Sequence, residues 1–411
     1  QVIRQADQAM YQAKMRGKNQ TYVFDASQTD QAASAEIIEL KQALAENDLK
    51  LYYQPKVNLK AGKLYGLEAL IRWQHPQKGL LQPAAFVHLF QNPFIAFDAG
   101  FWVIEAALKQ MQAWHEQGKV LPVSVNIDGM LLLDHRFSNH LQKSLAKYHQ
   151  IPPSLLTFEI LETSAIEDIV STTNVMKRCT AMGIQFSIDD FGTGYASLTY
   201  LKTLPVHELK ADLSFVKDLQ TDPQSLSIME SIIGMGKAFN LNVVAEGVET
   251  EYVANLLLKL GYELIQGYEI SHPMPADQVF EWLHHWHTKP QWQNIRHATE
   301  YERVFITAAI EHRAWINQIE FYLTNRTDWP PEMDEKKCRF THWLGHDEAK
   351  QRLTKSQHHH IQTLHSQIHA MGRQLITQKT EGNLTAAREG LEKLHALKAE
   401  LLAAIDYANL K

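Results

Sequence analysis

The chain has 411 residues, 45% of them hydrophobic and 21% charged, with a formal net charge of -6. That length exceeds what one core usually serves and predicts two or three domains. The acidic balance gives no reason to expect binding to nucleic-acid polymers. No apolar run approaches the ~20 residues of a membrane span and there is no secretory leader, so no membrane segment is expected here. Two cysteines, Cys179 and Cys338, stand far apart, which argues for a reducing, cytoplasmic setting rather than a disulfide framework. The chain opens at Gln1 in mid-pattern. It is expected to be a fragment of a protein that could carry a sensor or a membrane tether upstream.

In chain order, Ala6, Ala9, Met10 and Ala13 give a short helical pattern, and Thr21 to Phe24 a short strand. Residues 25–34 are polar and read as a linker. From 35 to 287, apolar runs such as Leu121–Ile127, Leu156–Ile160, Ile184–Ile188, Val243–Ala245 and Leu264–Tyr268 alternate with helical patterns. Strand–helix units repeated over this length predict an α/β closed parallel barrel. Residues 288–300 read as a second linker. Residues 301–411 are helical throughout, broken at Pro330 and Pro331 and near Gly382, and predict an all-α bundle.

Within the predicted barrel, polar residues recur at the C-terminal ends of the apolar runs: Glu68, Asn126, Glu159, Asp189 with Asp190, Lys210 and Glu246. In a parallel barrel these ends converge on one mouth, where active sites are built. Five carboxylates and an amide brought together there would repel one another without cations, and hard oxygen ligands suit magnesium or manganese. Two such ions bridged by a shared carboxylate form the arrangement used for in-line cleavage of a phosphodiester. Singly, each residue has a bland reading: Asp189 and Asp190 could cap a helix, and Glu159 with Glu162 could be a solvated face. The ordered series is what argues against six independent coincidences.

The segments YYQPKVNL (52–59), GLEALIRW (66–73), SVNI (124–127), FEILETSA (158–165), IDDFGTGYASLTYL (188–201), LKADLSFV (209–216), VVAEGVET (243–250) and QGYEISHPMP (266–275) carry a resemblance. They resemble the EAL-domain cyclic di-GMP phosphodiesterases over nearly all of 35–285. The resemblance implies a modified TIM barrel that opens cyclic di-GMP to linear pGpG. It implies that Glu68, Asn126, Glu159 and Asp189 bind a first metal, and that Asp189 bridges to a second held by Asp190 and Glu246. Lys210 would contact the attacking water, with Lys210 or Glu246 as the base. Gln54, Leu70, Arg72 and Gln266, together with Asp190, would position the dinucleotide, and Arg72 suits a bidentate phosphate contact. Glu162 would order the loop from Phe191 to Leu198, to which Gly192 and Gly194 give mobility. Ala211, Leu213 and His272 depart from the family's usual Ile, Arg and Arg or Lys. None is an implied metal ligand, so altered affinity or dimer coupling is expected rather than lost activity.

The two ends carry resemblances of their own. Residues 1–24, with ADQAMYQAKMRGKNQTYVF, resemble the end of a GGDEF diguanylate cyclase domain without its catalytic loop. Toward the C-terminus, His365 and His369 are four apart on a helical pattern and share a face. EHRAWI (311–316), CRFTHWL (338–344) and His-x-x-x-His resemble the CZB (chemoreceptor zinc-binding) domain over roughly 301–411, with Thr341 where Gly is commoner. That resemblance selects His312, Cys338, His365 and His369 as zinc ligands, one thiolate and three imidazoles. By spacing alone, His342, His346, His358, His359 and His360 compete, and His358, seven before His365, is the strongest rival. Zinc or oxidation of Cys338 would then regulate the barrel, and a homodimer is expected. The alternative is a catalytically silent cyclic di-GMP receptor that signals through the bundle. The intact ligand series and Lys210 favour the enzyme.

Overall fold

The computed structural model describes residues 26–194 and 201–409. The expected cyclase remnant at 1–24 lies outside the described residues, as does the second half of the loop ending at Leu198. Among the described residues, ten strands form one sheet: β1 Leu49–Asn58, β2 Lys63–His75, β3 Gly79–Leu81, β4 Val123–Asn126, β5 Leu156–Leu161, β6 Gln185–Phe191, β7 Glu208–Ala211, β8 Asn242–Ala245, β9 Leu264–Gln266 and β10 Met274–Pro275. Eight of them close on themselves in the order β1-β9-β8-β7-β6-β5-β4-β2, with β1 pairing back to β2. Strands β2 and β4 to β9 are parallel, whereas β1 runs antiparallel to both of its neighbours.

The antiparallel strand differs from an all-parallel expectation, and the turn explains it. A parallel pair needs a crossover of a dozen or more residues, whereas the few residues from Leu59 to Gly62 permit only a hairpin. Asn58 Oδ1 accepts the Ala61 N–H at 2.8 Å, and Gly62, at φ 63°, donates to the Asn58 carbonyl at 2.9 Å. Asn and Gly at these positions are the ordinary turn formers.

The apolar residues of the strands, Val57, Leu67, Val125, Phe158, Ile188 and Leu209 among them, share one buried core with the surrounding helices. A second core belongs to the C-terminal helices Glu300–Leu323, Lys355–Thr380 and Leu384–Asn409. The first two start at capping boxes, Thr299 with Glu302 and Thr354 with Gln357, which satisfy the otherwise unpaired first N–H groups. The last two are joined by a tight turn at Gly382, φ 84°, and so run antiparallel. Among the described residues, no helix is long and apolar enough to cross a membrane.

Helix Glu300–Leu323 belongs to both parts. Its Ile306 and Ile310 enter the barrel's core, whereas Phe305, Ala308, Ile316 and Ile319 enter the bundle's. Arg303 reaches Glu230 at 3.2 Å, and the Arg313 guanidinium donates to the Tyr252 hydroxyl at 2.9 Å. The segment before this helix packs as well. Trp292 is buried, and Lys289 sits between Glu251 at 2.7 Å and Glu269 at 2.6 Å.

Candidate active site and metal centre

Side chains alternate along a strand, so Glu68, Leu70 and Arg72 on β2 share the face that reaches the barrel mouth. Register places Gln54 opposite Glu68. The Gln266 amide donates to Glu68 Oε2 at 2.6 Å and to Gln54 Oε1 at 3.1 Å, and Asn126 donates to Glu68 Oε1 at 2.8 Å. Both oxygens of Glu68 are thereby aimed by side chains from β4 and β9. The Arg72 guanidinium lies 5.5 Å from the centre of the Tyr52 ring, beside the same mouth.

Adjacent residues on a regular strand face opposite ways, yet Asp189 and Asp190 both reach the cluster. The β6–β7 register shifts between Ile188 and Phe191, and Asp190 adopts φ 52°. That bulge with a left-handed residue re-aims the second carboxylate, and Asp tolerates the conformation better than most residues. As a result, carboxylate oxygens of Asp189, Asp190 and Glu246 lie within 4.8 Å of one another.

Lys210, on β7 and 1% exposed, stands at the centre of the acids. Its Nζ is 2.7 Å from Glu159 Oε2, 2.7 Å from Glu246 Oε1, 3.1 Å from Asp189 Oδ1 and 3.5 Å from Glu68 Oε2. Burial would strip its charge, but these carboxylates override burial and hold it firmly protonated. Burial would likewise raise Glu159, yet Lys210 and Lys56 hold it below the usual carboxylate range. Glu68 is pushed up to about 7 by burial and by Glu159 and Asp189. Asp190 is pushed up to about 7 by burial, Asp189 and a hydrogen bond with Asp212. Burial, with Asp189 and Glu68 nearby, raises Glu246 well above its ordinary range. Three carboxylates that resist ionisation mark a site short of positive charge, with an all-oxygen donor set, which fits hard divalent cations.

Three participants escaped the sequence reading. Lys56 reaches Glu159 Oε1 at 3.0 Å and Glu208 at 3.1 Å, all three buried. Asp212 holds Asp190 from the side while capping the next helix through the Ser214 N–H at 2.9 Å. Lys56 follows Gln54 by two and so shares its strand face, which is a legible signal; Glu208 and Asp212 carry none. Glu162, fully buried, accepts the N–H groups of Gly192 at 2.8 Å and Gly194 at 3.3 Å through Oε2, on the described half of its expected loop. The departures differ in their settings. Ala211 is buried in β7, Leu213 is exposed, and the His272 ring packs tilted against Tyr268 with ring centres 4.0 Å apart.

In the bundle, His312, Cys338, His365 and His369 present donor atoms within 4.8 Å of one another. Cys338 Sγ lies 3.4 Å from His365 Nε2 and 3.9 Å from His312 Nε2. Burial, then the neighbouring imidazoles His312 and His369, push His365 down to about 2, and burial also lowers His312, so these rings are neutral. Both ring nitrogens of buried His369 lack a hydrogen-bond partner among the described residues. An orphaned imidazole beside one thiol and two neutral imidazoles fits a tetrahedral zinc site. The rival His358 points elsewhere, with its Nε2 2.8 Å from the Leu344 carbonyl. Cys179 is buried in the barrel core, and burial pushes its thiol up to about 12. Thr341, near the centre, has a buried hydroxyl with no partner among the described residues.

Comparison with known families fits this geometry. The EAL domain matches residues 38–273. The chain belongs to the EAL domain family. The chemoreceptor zinc-binding domain matches residues 312–376, which include all four candidate ligands. Over 277 residues the chain is 38% identical to the bifunctional diguanylate cyclase/cyclic di-GMP phosphodiesterase MucR of Pseudomonas aeruginosa, spanning 67% of this chain and 40% of that protein. It is 36% identical over 257 residues to the cyclic di-GMP phosphodiesterase PA2567 of the same organism, spanning 62% and 44%. The chain thus spans less than half the length of these relatives. Among solved structures, the PaMucR phosphodiesterase in complex with c-di-GMP is similar at a TM-score of 0.57 and 39% identity, covering 60% of this chain and 99% of that one.

Proposed function

We propose that this EAL domain hydrolyses cyclic di-GMP to linear pGpG with two magnesium or manganese ions. The observation that carries the reading is the convergence of Glu68, Glu159, Asp189 and Glu246 on Lys210, with Asp190 turned in beside them by the β6 bulge. Glu68, Asn126, Glu159, Asp189, Asp190 and Glu246 would hold the ions, which supply charge neutralisation at the phosphoryl oxygens and acidify water. Arg72 clamps the non-reacting phosphate, and Gln54, Leu70 and Gln266 seat the dinucleotide. Water adds to phosphorus, one phosphodiester P–O bond breaks, and the departing sugar oxygen takes a proton. Lys210, held charged by its carboxylates, orients the water rather than accepting its proton. Glu246, hydrogen-bonded to Lys210 and prone to protonation, is the acceptor. Glu162, through Gly192 and Gly194, keeps the segment after the Asp pair in place.

The bundle, on this reading, takes zinc through His312, Cys338, His365 and His369, and zinc occupancy or oxidation of Cys338 regulates a homodimeric barrel. The neutral His312 and His365 rings and the unpartnered nitrogens of His369 support the metal, and the helix shared with the barrel supports the coupling. Turnover of cyclic di-GMP by the purified chain, with and without stoichiometric zinc and beside Glu68→Ala, tests both parts. Linear product from wild type alone, at a zinc-dependent rate, is the expected result. Tight binding without product under either metal would replace the enzyme with the silent receptor.

A further inference from the structure

A histidine ligand must present one bare nitrogen to its metal, and the partner of the other nitrogen decides which one that is. For His312 the backbone decides: Nδ1 lies 2.6 Å from the Ala308 carbonyl, one turn back on its own helix. The hydrogen therefore sits on Nδ1, and Nε2 is the bare nitrogen facing Cys338. His365 also turns Nε2 toward Cys338, so its hydrogen belongs on Nδ1. The carboxylate facing that nitrogen is Glu335, with Oε1 at 3.9 Å. This is longer than a hydrogen bond and within reach of a small ring rotation.

Glu335 is itself held for this role. Ser366 Oγ donates to its Oε1 at 3.0 Å, and Arg373 stands 3.5 Å from its Oε2. Both partners lie on the helix that carries His365 and His369. Glu335 also opens the single helical turn Glu335–Lys337, and the N–H of Cys338 closes that turn by donating to the Glu335 carbonyl at 3.1 Å. One turn thus fixes the thiol by its backbone and presents a carboxylate to the neighbouring imidazole.

Resting on the zinc reading above, we infer that Glu335 is a positioning residue of that centre: it orients His365 and fixes its tautomer without touching the metal. Removing such a partner weakens metal binding about 10- to 100-fold. Glu335 is a partly exposed turn residue, so its substitution spares the bundle's core.

The test is zinc affinity of the full chain under reducing conditions, by competition with a chromophoric chelator, for wild type, Glu335→Ala, Glu335→Gln and Arg373→Ala. We expect Glu335→Ala to weaken zinc about 10- to 100-fold, with Glu335→Gln between it and wild type, because the amide oxygen can accept from Nδ1 after the same small ring rotation. Arg373→Ala, which leaves the carboxylate in place but frees it, gives a smaller loss. Two-bond 1H–15N imidazole spectra of the metal-free protein should show His365 protonated at Nδ1 in wild type and a tautomer mixture in Glu335→Ala. Wild-type affinity and tautomer in Glu335→Ala would overturn the inference while leaving the four-ligand site standing. A wild type that takes up no zinc would overturn the site itself.

Discussion

Lys56 Nζ lies 3.0 Å from Glu159 Oε1, while the other oxygen of that carboxylate is held by Lys210 at 2.7 Å. Glu159 therefore stands between two buried ammonium groups and cannot swing away from the mouth. Lys56→Met removes one of them and strands Glu159 and Glu208 in the interior, where breaking a buried pair costs ~3–5 kcal/mol. The variant should melt several degrees lower and need a higher magnesium or manganese concentration for half-maximal turnover. An unchanged metal requirement in a folded Lys56→Met protein would remove Lys56 from the positioning of Glu159.

The bulge at Asp190 separates shape from charge. Asn tolerates φ near 52° nearly as well as Asp, so Asp190→Asn should keep the backbone and relieve repulsion from Asp189. Its metal-free melting temperature should equal or exceed that of wild type, while turnover at fixed magnesium falls at least ~10- to 100-fold. Thermal scans beside product assays separate the two effects, and equal turnover would exclude Asp190 from metal or substrate binding.

Much of this site was legible because the chemistry sits at strand ends and strand ends are periodic. Glu68, Glu159, Lys210 and Glu246 each terminate or punctuate an apolar run, so their convergence follows from barrel topology. The direction of β1 does not follow from the repeated strand–helix units; only Asn58 and Gly62 mark the hairpin. The bulge at Asp190 has no one-dimensional signature beyond the Asp pair itself. Asp212 and Glu335 could not be read at all: one looks like an ordinary helix cap and the other like a surface acid, and each gains its role only by packing. In the bundle, His358 matched the periodic face as well as His369 did, and its hydrogen bond to Leu344 is a tertiary fact.

A close backbone approach makes a further prediction. A Cβ added at Gly267 would lie 2.1 Å from the Val248 carbonyl oxygen, between Gln266 and the segment that follows Glu246. The Val248 N–H also donates to the Gln266 carbonyl at 3.1 Å, so neither side can yield alone. Gly267→Ala should cost ~1–3 kcal/mol as an overpacked site, and it should lower turnover by spreading Gln266 from Glu246. Wild-type melting and turnover in this variant would contradict the packing described.

Glu68 and Asp190 give the metal-free barrel a defined pH response. Both have folded pKa values of about 7, above ordinary values of 4.5 and 3.8. A carboxyl raised on folding contributes stability that is complete below its unfolded pKa and is lost as pH rises through its folded one. In chelator-treated protein the melting temperature should therefore fall between pH 5 and pH 8. Glu68→Gln, which has no proton to lose, should show a shallower fall. Added magnesium should flatten the wild-type curve by favouring the ionised acids. A wild-type slope identical to that of Glu68→Gln would show that Glu68 is already ionised across this range.

Arg313 follows His312, one of the proposed zinc ligands, on helix Glu300–Leu323 and donates to the Tyr252 hydroxyl at 2.9 Å. Tyr252 lies in the first turn of helix Glu251–Leu260, shortly after Glu246. If zinc controls turnover, helix Glu300–Leu323 is a direct physical connection, because it carries His312 and packs into both cores. Tyr252→Phe removes that hydrogen bond from the barrel side, leaving the ring 5.3 Å below the Arg313 guanidinium, and alters no proposed zinc ligand or residue of the mouth. It should leave zinc affinity and zinc-free turnover at wild-type values and shrink the change in turnover that zinc produces. Turnover measured across a zinc titration decides the matter, because a full response in Tyr252→Phe would send the coupling through Ile306 and Ile310 instead. In that case Ile310→Ala, which thins the apolar contact with the barrel core, becomes the variant whose zinc response should fall.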